Sequence, residues 1–105
     1  MFKYKELKEI FEKLCNKYNL EYVFGNGFIS GNGFSCIIIK VMNGTLSERP
    51  RLLITDWIFG SDTKTHDVTT KSFVEIEKCL RESINKFKEY CVKRRLDDME
   101  KDFEN

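Results

Sequence analysis

Residues 25–36 hold a six-residue near-repeat, Gly25-Asn26-Gly27-Phe28-Ile29-Ser30 followed by Gly31-Asn32-Gly33-Phe34-Ser35-Cys36. Asn-Gly is the pair that best tolerates positive φ at both central positions of a type I′ turn. Two such pairs so close together predict two tight turns around a very short strand. The middle of the chain is therefore expected to be an antiparallel meander, and whatever precedes and follows must pack on it.

The flanks read as helices. Leu7, Ile10, Phe11, Leu14, Cys15 and Tyr18 recur at three- and four-residue steps over residues 2–18, with Asn19 as a stop. Four strands are expected, over Glu21–Phe24, Phe28–Ser30, Phe34–Met42 and Arg51–Phe59, and the polar stretch Gly60–Lys71 reads as a long loop or loose hairpin. Ser72 with Glu75 forms a capping-box pattern, and the stripe Phe73, Ile76, Leu80, Ile84, Phe87 and Cys91 marks the second helix. The fold class is thus α+β: an N-terminal helix, a three- to four-stranded antiparallel meander and a long C-terminal helix, in the order α-β-β-β-β-α.

A chain of 105 residues, 41% hydrophobic and 33% charged, is one globular domain able to fold without metals or disulfides. The domain is expected over residues 1–92, with 93–105 as a charged helical extension or tail. A helix from Phe73 to Phe103 would be roughly 46 Å long at 1.5 Å per residue, longer than such a domain is wide. Only Leu96, Met99 and Phe103 keep the apolar spacing there, so a docking helix and a fraying solvated tail are both readings of it.

The sheet carries an apparent surplus of apolar surface. On strict alternation Phe34, Cys36, Ile38 and Met42 fall on one face, and Ile37, Ile39 and Val41 on the other. Leu53, Trp57 and Phe59 likewise oppose Leu52, Ile54 and Ile58. Two helices cover one face, so the second is expected to meet the 60–71 loop, a second copy or a partner.

Catalytic and cofactor chemistry has little purchase. Gly25-x-Gly27-x-x-x-Gly31 precedes a strand instead of a helix N-terminus, so no amide cluster awaits a phosphate. Cys15, Cys36, Cys79 and Cys91 lack any Cys-x-x-Cys spacing and read as free thiols of a reducing compartment, and no metal or other cofactor is expected. The sole histidine, His66, lies near Asp56, Asp62 and Asp67, a set from which a small metal-dependent enzyme would be built. Asp56, acidic inside an apolar strand, is the best single candidate for a functional carboxylate.

Eighteen basic residues against seventeen acidic ones leave a net charge of +1, without the surplus typical of nonspecific nucleic-acid binders. No apolar run is long enough to cross a membrane, and Lys3, Lys5 and Glu6 occupy the place of a signal-peptide core. A cytoplasmic protein is expected. Ala is absent and Lys, Asn, Ile, Phe and Glu are abundant, a bias of AT-rich genomes, including those of phages and mobile elements.

Two families share parts of this order. Helix, strands, helix resembles the core of the PD-(D/E)xK nucleases, whose strand carries an acidic residue two before a lysine; here that place reads Ile38-Ile39-Lys40. Residues 4–90 also resemble the double-stranded-RNA-binding domain in topology. That resemblance implies phosphate contacts from lysines at the start of the second helix, where this chain reads Thr69-Thr70-Lys71-Ser72-Phe73-Val74-Glu75. The alternative basic surface is Lys86, Lys88, Lys93, Arg94 and Arg95 on the same helix.

The favoured expectation is a non-enzymatic protein-interaction module, binding a protein partner or forming a homodimer. An inhibitor of host defence, in the manner of anti-CRISPR proteins, fits the size and make-up. Phe28, Asn32, Ile37, Ile39, Trp57, Leu96, Met99 and Phe103 are the expected contact residues. An RNA- or DNA-binding module is the alternative, through Lys86, Lys93, Arg94 and Arg95.

Overall fold

The computed structural model describes residues 3–31, 34–45, 48–56 and 63–103, with side chains described for these except Phe34 and residues 94–103. Seven elements follow one another: α1 (Tyr4–Lys17), β1 (Glu21–Val23), β2 (Asn26–Gly31), β3 (Phe34–Met42), β4 (Arg51–Asp56), β5 (Lys64–Asp67) and α2 (Phe73–Phe103). The strands form one antiparallel sheet in sequence order. This is the expected α+β architecture with a fifth strand.

α1 ends as its sequence dictates. Asn19 takes the left-handed conformation at φ 56°, the Leu20 N–H donates to the Cys15 carbonyl at 2.8 Å, and the Asn19 N–H donates to that of Asn16. These are the two bonds of a Schellman stop, with Asn in the place usually given to Gly. The capping box of α2 is also formed: the Glu75 N–H donates to Ser72 Oγ and the Ser72 N–H to the Glu75 carboxylate, each at 3.3 Å.

Both helices lie on the same side of the sheet. A Cβ on Gly27 would stand 2.5 Å from Ile39 Cγ2 and 2.9 Å from Cys15 Sγ, whereas one on Gly31 would meet Cys91 Sγ and Phe87 of α2. Gly27 and Gly31 share a face of β2, so α1 and α2 pack on that one face. Between helices and sheet lies a single core of Leu7, Phe11, Leu14, Ile38, Ile39, Leu52, Ile54, Ile76, Leu80 and Phe87 with their neighbours. Glu77 joins the helices, accepting hydrogen bonds from Lys17 Nζ and, at 2.9 Å, from Tyr18 Oη.

On β3 the expected apolar surplus is largely removed by one extra residue; Trp57, Ile58 and Phe59 lie outside the described residues. Gly27 pairs with Ile39 but the next residue, Phe28, pairs with Ile37, so one step along β2 matches two along β3. This is a β-bulge with Ile38 as the additional residue. Beyond it the inward parity of β3 reverses: Cys36 and Ile38 point to the helices before the bulge, Ile39 and Val41 after it, and all four are buried. Ile39, expected on a partner-facing surface, is instead 0% exposed. What remains outward on β3 is Ile37, 36% exposed, and, after the bulge, half-buried Met42.

One further expectation is corrected and one open reading is resolved. The first hairpin turns at Phe24-Gly25, with Asn26-Gly27 inside β2. The Gly27 site explains this: its missing Cβ is needed where the strand presses on Phe11, Cys15 and Ile39, so the glycine serves packing and not the turn. Of the two readings of the polar stretch, long loop or loose hairpin, the hairpin is formed: the stretch contributes β5, antiparallel to β4, which has no apolar residue of its own. Its place is fixed by the β4 ladder and by Asp67-Val68-Thr69, where the Val68 N–H donates to the Leu52 carbonyl at 2.9 Å and Thr69 Oγ1 accepts from the Leu52 N–H at 3.0 Å.

α2 is buried through Ile76, Leu80, Ser83, Ile84 and Phe87 and half-buried at Cys91; Val92 and Lys93 are already exposed. The helix continues unbroken to Phe103, and the molecule measures 57 × 26 × 23 Å. Among the described residues no helix is long and apolar enough to cross a membrane.

Candidate functional site

Asp56 ends β4 on the helix side of the sheet, following Leu52 and Ile54 in alternation, and is only 3% exposed. A carboxylate so buried needs donors, and three converge on it. Ser83 Oγ donates to Oδ1, while Lys86 Nζ at 2.8 Å and His66 Nε2 at 2.7 Å reach Oδ2. Ser83 and Lys86 stand three apart on one side of α2. His66 lies on β5, opposite Ile54 in the ladder.

Burial pushes the Asp56 carboxyl up, but the hydrogen bonds from Lys86, Ser83 and His66 outweigh it and bring it from 3.8 down to about 2. The group is an anion at neutral pH, an acceptor only, so His66 Nε2 carries the proton it shares with Oδ2. The same bond raises Lys86 above the ordinary lysine range.

The chemistry of this arrangement is that of a clamp. Ser83 gives its proton directly to the carboxylate and not to an imidazole, so the hydroxyl lacks the adjacent base that makes a serine nucleophilic. One anion holds a helix and two strands at a single point. Of the four residues read as a possible metal or acid–base set, Asp56 and His66 come together. The Asp67 carboxylate accepts from the Thr69 N–H at 3.0 Å and from its hydroxyl, on the opposite face of β5, and Asp62 lies outside the described residues. Among the described residues no group of three or more His, Cys, Asp or Glu side chains is placed to hold a metal ion.

The thiols are equally quiet. Burial, with Glu12 nearby, pushes Cys15 up to about 11; burial, with Cys91 nearby, does the same to Cys36. Cys79 is raised by burial and by Asp56. None of the four cysteines is in a disulfide, and thiols raised like those of Cys15, Cys36 and Cys79 are poor nucleophiles.

The strongest departure from a quiet surface is the β1–β2 hairpin. The Gly25 N–H donates to the Val23 carbonyl at 3.0 Å across Phe24, whose φ is 56°. An i to i+2 bond around a residue of positive φ is the strained form of γ-turn. Phenylalanine pays for this conformation in steric crowding of roughly 1–2 kcal/mol, and Asn or Gly would be the ordinary occupant. Its ring is then held 96% exposed. Val23 beside it is 55% exposed and shares the outward face with Phe28 and Ile37, which are direct cross-strand partners.

Of the expected contact residues, Phe28 and Ile37 therefore join an outward apolar patch, and Ile39 belongs to the core. Asn32 and Trp57 lie outside the described residues. Leu96, Met99 and Phe103, like Arg94 and Arg95, fall in α2 with side chains outside the described set. Lys86 is committed to Asp56, and Lys93 is exposed. Sequence reasoning passed over Phe24 and Val23 because an apolar run Tyr22-Val23-Phe24 before a glycine reads as strand. It passed over Ser83 as well, although Ser83 falls within the apolar stripe of α2, where a polar residue signals a buried partner, and it placed Lys86 on a basic surface and not beside Asp56.

Compared with known protein families, curated proteins and solved structures, the chain matches none.

Proposed function

We propose that this protein is a protein-interaction module whose contact surface is the β1–β2 hairpin tip and the adjoining outward face: Phe24, Val23, Phe28 and Ile37. The observation that carries the reading is Phe24, an aromatic ring held in solvent by a backbone conformation that phenylalanine does not favour. Strain retained around an exposed apolar side chain is of use only where something covers it. Aromatic anchors dominate protein–protein contacts because they bury a large area with few rotamers to freeze.

This reading is narrower than a whole uncovered sheet face, since the bulge directs Ile39 inward. The nucleic-acid alternative loses weight from the engagement of Lys86 with Asp56. The test is photocross-linking with benzoylphenylalanine at position 24, in cells expressing the protein, against the same residue at exposed Glu9 of α1. A discrete adduct from position 24 that is absent from position 9 is expected, and Phe24→Asn should weaken recovery of that partner tenfold or more. Equal adduct patterns at the two positions would refute the proposal.

A further inference from the structure

A second feature lies at the other end of the same hairpin. β1 pairs with β2 only from Asn26 to Phe28, because the Schellman stop of α1 delays the strand until Glu21. Among the described residues, Ile29, Ser30 and Gly31 thus pair with β3 on one side and with no strand on the other. Beside them runs an open groove of about 540 Å³. Phe28 and Ser30, from the outward face of β2, and Ile29 and Gly31, from the helix-facing side, all line it, so the groove follows the strand's edge. Ile84, Phe87 and Val92 of α2 make one wall and Leu20 the other.

We propose that this groove binds an extended peptide segment of a partner protein, which adds to the free edge of β2 as a further strand. The Gly25 carbonyl accepts from the Val41 N–H of β3, so by alternation Ile29 and Gly31 also turn their backbone groups to β3, and Ser30 alone of the three turns its N–H and C=O to the groove; strand addition is the mode that uses such a donor–acceptor pair. Alternation along the added strand places one side chain between sheet and α2, against Ile84 and Phe87, where an apolar residue fits. The two charged residues of the lining stand on opposite walls, Glu21 on β1 and Lys88 on α2. The segment fitted is therefore an apolar anchor with an acidic neighbour toward Lys88 and a basic one toward Glu21. A second copy of the chain is disfavoured by shape: in a two-fold pair the same edge would face itself, and both edges are recessed behind their own walls.

The site is distinct from the hairpin tip, and the experiment separates them. A phage-displayed library of random nonapeptides is panned on the full chain, and the enriched peptides are synthesised with a single backbone N-methyl group at each position in turn. N-methylation at the one position whose amide pairs with Ser30 is expected to weaken binding tenfold or more, with its two neighbours little changed. The amide of Ser30, which faces the free edge, should gain protection from hydrogen exchange on binding, whereas those of Ile29 and Gly31, which face β3, should change little. Lys88→Glu combined with Val92→Glu, both on exposed side chains, should weaken binding at least fivefold, whereas Phe24→Asn should leave it intact. Failure to enrich any peptide, a flat N-methyl scan, or unchanged binding to the double variant would overturn the proposal. Protection of the Ser30 amide in a peptide-free dimer would overturn it in favour of a second copy.

Discussion

Replacing Asp56 by Asn keeps the shape of the side chain and removes the charge on which Ser83, Lys86 and His66 converge. A carboxyl lowered from 3.8 to about 2 on folding contributes about 2.5 kcal/mol at neutral pH. The sign follows from the direction: the folded value lies below the unfolded one, so the contribution is complete above about pH 5 and is lost as pH falls toward 2. Linkage with these two values leaves about 1.3 kcal/mol at pH 3. Asp56→Asn should therefore lower stability by about 2.5 kcal/mol at pH 7, a fall in Tm of roughly 10 °C for a domain this size. The gap between wild type and variant should narrow to about 1.3 kcal/mol at pH 3. Urea denaturation at the two pH values measures both. A gap that is small at pH 7, or unchanged between pH 7 and pH 3, would show that the carboxylate is not the charged clamp described.

The bulge predicts an unusual pattern in β3. Ile38→Asp and Ile39→Asp should each leave an unfolded chain by circular dichroism, while Ile37→Asp stays folded within about 1 kcal/mol; strict alternation would make 37 and 39 behave alike. Gly27→Ala should cost about 1–3 kcal/mol by overpacking, and adding Ile39→Ala should cost less than the sum of the two single changes, as read by chemical denaturation. Phe24→Asn should leave stability unchanged or raise it by up to about 1 kcal/mol while losing the cross-linked partner; a destabilised variant would mean that the ring contributes to the fold.

Much of the architecture is legible in the letters because it rests on local signals. The stripe from Leu7 to Tyr18, the stop at Asn19 and the Ser72–Glu75 box each specify a helix end or face within a few residues, and the structure forms all of them. What escapes is set by tertiary contact. The bulge at Ile38 exists because β2 and β3 must both present apolar residues to two helices, and no residue type announces it. β5 consists of Lys64, Thr65, His66 and Asp67, polar letters that pair only because β4 offers an edge and Asp56 awaits His66. At the candidate contact surface, Phe28 and Ile37 follow from hairpin and alternation. Phe24 does not, since its exposure comes from a backbone conformation against the preference of its own side chain.

The raised, interior thiols carry a practical consequence. Near neutral pH, Cys15 and Cys36 hold almost no thiolate and both are buried, Cys15 completely, so an alkylating reagent labels them efficiently only when the layers part. Their rate of modification is then a clock for opening, native to the chain and requiring no added probe. Cys15 sits under α1 and Cys36 in β3 facing the helices, so their relative rates would tell whether the first helix lifts away alone or the molecule comes apart together.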